Sequence, residues 1–182
     1  MRRLLALVTL AACVLFPGMR GQAPAAVFHS RDEALALAFP GAERTEARDF
    51  FLTPEQRSEI ETRARARLDS SFLTVYVGHR GAETLGYALF DTHLVRTLPE
   101  TFLIVLDPEG AVKAAYLLAF YEPPEYQPPD RWLAQFPGRR PSDDVQVDRT
   151  IAGITGSTLT ARAVTGGVRR ALAIYEVLLR AR

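Results

Sequence analysis

The sequence is poor in the residues that build covalent or metal-centred frameworks. Its 182 residues include one cysteine, Cys13, so an internal disulfide is impossible and a cysteine-rich metal site is excluded. No Cys-x-x-Cys-His occurs, which rules out a covalently attached c-type haem. The three histidines, His29, His79 and His93, are scattered without ligand spacing, as expected of surface or satisfied core residues. An excess of one charge is also missing. With 22 basic and 21 acidic residues the formal net charge is +1, which gives no long-range pull towards nucleic acid or anionic lipid. Lysine is almost absent, Lys113 being the only one. No Gly-Lys-Ser/Thr follows a glycine-rich loop and no Gly-x-Ser-x-Gly occurs, so neither a nucleotide-hydrolysing phosphate loop nor a nucleophile elbow is expected.

What is present begins with an address. Met1-Arg2-Arg3 precedes Leu4 to Phe16, thirteen residues without a charge, the basic and apolar regions of an export signal. At about 1.5 Å per residue this run reaches about 20 Å, short of the roughly 30 Å hydrocarbon core, so a signal is expected over a spanning anchor. Two processing routes stay open: cleavage at Ala23-Pro24-Ala25, or lipidation of Cys13 in the lipobox-like Leu10-Ala11-Ala12-Cys13. Either places the folded part in the periplasm or otherwise outside the cytoplasm, with a lipidated Cys13 or an uncleaved signal as the alternative tethers. Residues 1–25 are read as the signal, and the roughly 155–165 residues left suffice for one core.

Ser30, followed by Arg31-Asp32-Glu33 and Ala34 to Phe39, predicts an N-capped helix stopped by Pro40-Gly41. Thr53-Pro54-Glu55-Gln56 opens a second helix with capping-box spacing, expected to run to about Leu68. Residues 26–70 are therefore read as an N-terminal helical extension. The pattern then turns to strand: Phe72 to Val77, a turn at His79-Arg80-Gly81, Leu85 to Phe90, Leu94-Val95, and a doubly buried run from Thr101 to Leu106. Asp107-Pro108-Glu109-Gly110 predicts the turn to a hairpin partner, Val112 to Phe120. Glu122 to Pro141 carries six prolines but also Tyr126, Trp132 and Phe136, which predicts an ordered loop with a short helix from Asp130 to Phe136. From Leu159 to Leu179, Val164, Val168, Ala171, Leu172, Ile174, Tyr175 and Leu178 recur at helical spacing. Gly166-Gly167 inside this helix costs roughly 1–2 kcal/mol relative to alanine, which suggests a close approach there. The expected fold class is α+β: a mainly antiparallel sheet with N-terminal helices and a C-terminal packing helix.

The chemistry concentrates in Gly153-Ile154-Thr155-Gly156-Ser157-Thr158-Leu159-Thr160, directly before the last helix. Four hydroxyls and two glycines deliver the chain to a helix N-terminus, where unpaired N–H groups and the helix dipole favour an anion. Gly156 can take positive φ and admit a phosphate close to the main chain. Read by itself, the same stretch also suits an ordinary turn with a Ser or Thr cap.

The run from Ile154 to Val164, with Thr155-Gly156-Ser157-Thr158 at its core, resembles the flavinylation motif of the FMN-binding domain family. That family includes the small flavin subunits of Rnf and Na+-translocating NADH:quinone reductase complexes. The likeness covers roughly Phe72 to Tyr175. The hairpin around Asp107 to Gly110 resembles the family's strand–turn–strand, and Glu122-Pro123-Pro124 its Glu-Thr-Pro element near the flavin, with Pro123 in place of threonine. The resemblance implies an FMN-binding domain over residues 71–182 that holds FMN by a phosphoester to Thr158. It implies Thr155, Gly156, Ser157, Leu159, Thr160 and Glu122 as further cofactor-binding residues. A dedicated flavin transferase would mature the protein, and a membrane-bound redox partner would exchange electrons with it. Tyr121, Tyr126 and Trp132 are candidates to cover the flavin ring, or else core anchors. The family's usual acidic residue six positions before the modified threonine is replaced by Ala152. The competing readings are a non-flavinylated binding or scaffold module of the same fold, and a hydrolase or transferase with Thr158 as nucleophile.

Overall fold

A computed structural model describes residues 26–180. The expected signal, Ala23-Pro24-Ala25 and Cys13 lie outside the described residues. The described chain forms β1 (Ala26–Val27), α1 (Arg31–Ala38), β2 (Arg44–Phe51), α2 (Pro54–Ala64), β3 (Phe72–Arg80), β4 (Glu83–Leu94), β5 (Pro99–Leu106), β6 (Val112–Phe120), α3 (Asp130–Leu133) and α4 (Thr158–Ile174). The strands make one six-stranded antiparallel sheet in the order β1-β6-β5-β4-β3-β2, so β2 to β6 form a meander and β1 closes its far edge. The α+β class expected from the sequence is the one observed.

Local chemistry explains the helix starts. Ser30 and Thr53 each form a reciprocal capping box. Ser30 Oγ accepts from Glu33 N at 3.3 Å while Glu33 Oε2 accepts from Ser30 N at 2.7 Å. Thr53 and Gln56 exchange the equivalent bonds at 3.2 and 3.0 Å. α2 ends at Ala64, before the expected Leu68, with Arg65 turning into the left-handed region at φ 48°. The turn expected at Asp107 to Gly110 is closed by Asp107, whose carboxylate accepts from Ala111 N at 2.8 Å.

Residues 26–70 supply the two expected helices and, in addition, two strands. β2, Arg44-Thr-Glu-Ala-Arg-Asp-Phe-Phe51, pairs with β3 over its whole length from Arg44↔His79 to Phe51↔Phe72. It is an edge strand with almost every residue in solvent, so it lacks the apolar alternation that marks a strand in sequence. His79 and Arg80, expected in a turn, extend β3, and the turn falls at Gly81-Ala82.

β5 is buried on both faces, as its apolar run predicts. Leu103 and Val105 meet Ala34, Ala38 and Phe39 of α1 and its C-cap, whereas Phe102, Ile104 and Leu106 pack under Val164, Val168 and Ala171 of α4. α4 crosses the sheet along β4. Its N-terminus lies by Val95, Gly167 lies over Asp91, and the Tyr175 ring is 5.8 Å from that of Tyr87. The helix closes with a π-helical turn, Tyr175–Leu179, and Tyr175 Oη donates to Pro108 O at 3.0 Å. Among the described residues no helix is long and apolar enough to cross a membrane.

Candidate functional site

Three segments distant in sequence meet at the N-terminus of α4: the turn Val95 to Leu98 between β4 and β5, the stretch Glu122 to Tyr126 after β6, and Gly156 to Thr160. They line a cleft of about 140 Å³ formed by Val95, Arg96, Glu122, Tyr126 and Gly156 to Thr160. Six of the seven residues singled out from the sequence, Gly156, Ser157, Thr158, Leu159, Thr160 and Glu122, are thus brought together. Thr155 is exposed and outside the cleft lining.

The turn into α4 leaves several donors without an acceptor among the described residues. Gly156 sits at φ 80°, the left-handed region that glycine adopts without a Cβ penalty. Ser157 occupies the N-cap position without capping: its hydroxyl donates to Glu125 O at 3.2 Å, tying the helix start to the post-β6 loop. The ordinary serine cap expected as the plain alternative is therefore not formed. Among the described residues nothing accepts from the N–H groups of Thr158, Leu159 or Thr160, the donors that a helix N-terminus leaves open. Thr160 is 1% exposed and its Oγ1 has no hydrogen-bond partner among the described residues. A buried hydroxyl without a partner costs on the order of 1–3 kcal/mol. Thr158 itself is exposed at the mouth.

Glu122 anchors the opposite wall. Its Oε1 accepts from the N–H groups of Arg96, Thr97 and Leu98 at 3.0, 2.9 and 3.0 Å. Burial works against its charged form, but these three donors and the Arg96 guanidinium outweigh it and hold the carboxyl below its ordinary range. The turn so fixed presents Arg96, which the sequence reading did not single out. The Arg96 guanidinium lies 4.4 Å from the Tyr126 ring centroid and donates to Tyr126 Oη at 3.3 Å. Tyr126 is accordingly part of the site. Trp132 is a core anchor instead: 5% exposed and edge-on to Phe136, it donates from Nε1 to Ala152 O at 2.6 Å. Gln135 Oε1 accepts from Ala152 N at 2.8 Å, so residue 152 is clamped through both backbone groups. No carboxylate stands at 152, but one stands close by in space. Asp148, at φ 64°, places Oδ1 2.8 Å from where a Cβ on Gly153 would be.

On the strands that lead to the cleft's Arg96 turn, the sheet carries a row of charges. Arg170 of α4 holds Asp91 bidentately, at 2.7 Å to each carboxylate oxygen; Asp91 Oδ2 lies 2.8 Å from His93 Nδ1, and His93 Nε2 lies 2.6 Å from Glu100 Oε1. His93 and Glu100 are opposite each other in the β4–β5 register, one pair before Leu94↔Pro99 and the turn that carries Arg96. Burial alone would lower the His93 pKa, but its bonds to Asp91 and Glu100 raise it to about 9. Burial pushes the Glu100 carboxyl up. Burial also opposes charge on Asp91, yet His93 and Arg170 prevail and keep its pKa below the ordinary value. With both ring nitrogens engaged by carboxylates, His93 is not free to serve Thr158 as a base. That removes the geometric support for a Thr158 nucleophile.

The chain is similar to one component of the Na(+)-translocating ferredoxin:NAD(+) oxidoreductase complex of Acetobacterium woodii. The two are 26% identical over 150 residues, which cover 72% of this chain and 70% of the relative. No protein-family model matches the chain.

Proposed function

We propose that this protein is a flavin-bearing electron-transfer subunit that carries FMN as a phosphoester on Thr158. The observation that carries the reading is the donor set around that hydroxyl: three open N–H groups, an unpartnered buried Thr160 hydroxyl and Arg96, all lining one cleft. This set fits a phosphodiester, which brings one negative charge and several acceptor oxygens to a place supplied with donors and a cation. The relative's name, that of a component of an oxidoreductase complex that uses ferredoxin and NAD(+), supports a redox role beside a membrane-bound partner.

When bound, FMN supplies one-electron chemistry, so the protein need not provide an acid or base. Thr158 supplies the ester oxygen, Gly156 lets the phosphate approach the main chain, and Arg96 balances its charge. Ser157 and Glu122 hold the two walls at a fixed separation. At about 140 Å³ the cleft is smaller than the roughly 300–1,000 Å³ that encloses a drug-sized ligand. It therefore takes the phosphate and leaves the flavin ring outside. Leu159, 45% exposed on the cleft lining, offers the ring an apolar rest with one edge open to a partner. Maturation requires a flavin transferase, and the site belongs on the extracytoplasmic side if the N-terminal signal acts as one.

The test is an intact-mass measurement on protein co-produced with a flavin transferase. One FMN of added mass is expected in the wild type and in Thr160→Ala, and none in Thr158→Ala. A colourless wild type without the adduct would instead favour a scaffold module of this fold, the reading that Ala152 supports.

A further inference from the structure

Glu100 is fully buried, yet one of its oxygens is idle. Oε1 meets His93, whereas Oε2 has no hydrogen-bond partner among the described residues. Leaving a buried carboxylate oxygen bare is costly. The charges that face it are His93 and Asp91 from β4, Arg170 from α4 through Asp91, and Glu122 from the segment after β6. With His93 protonated, the row Arg170, Asp91, His93, Glu100 carries two positive and two negative charges. Oε2 is then the carboxylate oxygen in it that no donor occupies.

This idle oxygen is close to the cleft. Glu100 is two residues from Leu98, whose N–H the cleft wall residue Glu122 binds, about 7 Å at about 3.3 Å per strand residue. On the other side, α4 places Gly167 over Asp91 and Thr160 seven residues nearer its N-terminus, about 10 Å along the axis. That step carries the buried, unpartnered Thr160 to the cleft walled by Glu122. At an effective dielectric near 20, a unit negative charge about 10 Å from Glu100 would change its proton affinity roughly tenfold.

We infer that Glu100 is a positioning residue for charge: it takes up one proton on Oε2 when an electron arrives on the group held at Thr158. This inference rests on the proposed flavin site. In the step a one-electron donor, dithionite in the test, gives up an electron to the flavin. One solvent proton then forms the O–H bond at Glu100 Oε2, and no bond in the protein breaks. His93, whose side chain is 10% exposed, connects the buried carboxyl to solvent.

The experiment first establishes the adduct by intact mass, then measures the reduction potential of the full-length protein between pH 6 and 9. Wild type is expected to fall more steeply with pH than Glu100→Gln. The excess reaches at most the tenfold per pH unit that equals 59 mV for one electron. In wild-type protein alone, 13C-labelled glutamate should show one buried carboxyl resonance moving to its protonated position on reduction, which keeps the test open if Glu100→Gln fails to fold. Equal slopes in the two proteins, or no carboxyl change on reduction, overturn the inference. If no adduct forms, the flavin reading fails first. The coupling is then decided in unloaded protein by comparing Thr158→Asp with Thr158→Asn: a higher carboxyl titration midpoint with aspartate supports it, and coincident midpoints overturn it.

Discussion

Asp91 and Gly167 touch: a Cβ on Gly167 would collide with Asp91 Oδ2 and lie 2.9 Å from its Cγ. The carboxylate cannot swing aside, because Arg170 and His93 hold both of its oxygens. The close approach expected at Gly166-Gly167 is thus made by a side chain of the sheet, and by one glycine only.

Replacing these neighbours by alanine should separate them. Gly167→Ala should destabilise by about 1–3 kcal/mol, since the added methyl overpacks a fixed carboxylate and outweighs the helix propensity gained. At Gly166 the nearest group to an added Cβ is Arg170 Nη1 at 3.6 Å, an ordinary contact. Gly166→Ala should therefore be neutral or stabilising by up to about 1 kcal/mol. Urea midpoints of the two variants check this, and equal losses would be inconsistent with the contact.

The His93 row makes stability depend on alkaline pH. Its folded pKa of about 9 lies above the ordinary 6.5, so protonated His93 favours the folded state. That contribution is complete below about pH 6.5 and is lost as pH rises through about 9. The raised Glu100 carboxyl acts in the same direction, favouring the fold where it is protonated. Stability measured in urea should fall between pH 6.5 and 9.5 in the wild type. The slope should flatten in His93→Gln.

Trp132 should matter to the site without touching it. Trp132→Phe keeps an aromatic ring against Phe136 but removes the donor to Ala152 O, at a cost of about 1 kcal/mol. Loosening residue 152 should slow flavin attachment at Thr158 while leaving the far-ultraviolet circular dichroism unchanged. Time courses of adduct formation by mass spectrometry distinguish this from a merely structural loss.

Arg96 is the cation of the cleft, and its shape is part of its role. In a Thr158→Ala background, which blocks esterification, free FMN should bind roughly tenfold more weakly when Arg96 is also alanine. Arg96→Lys should recover only part of the affinity. Lysine keeps the charge but loses the planar guanidinium lying over Tyr126. Flavin fluorescence titration measures both.

Much of this molecule is decided by neighbours in the chain. Ser30 with Glu33 and Thr53 with Gln56 cap their helices through residues three apart, the Asp107 to Gly110 turn closes on itself, and the apolar stripe of α4 repeats at helical spacing. The hydroxyl-rich approach to Thr158 is equally local, which is why the candidate site could be read before the fold. The remainder is decided by register. β2 is a strand because β3 offers it a partner, not because its charged residues favour one. His93 meets Glu100 because β4 and β5 align them, and Arg170 reaches Asp91 across 79 positions. Glu122 holds the Arg96 turn from 26 residues away. Backbone propensity and capping act within a few residues, whereas ion pairs and buried hydrogen bonds depend on which strands lie side by side. Only the assembled sheet, with α4 laid across it, brings those charges into one row.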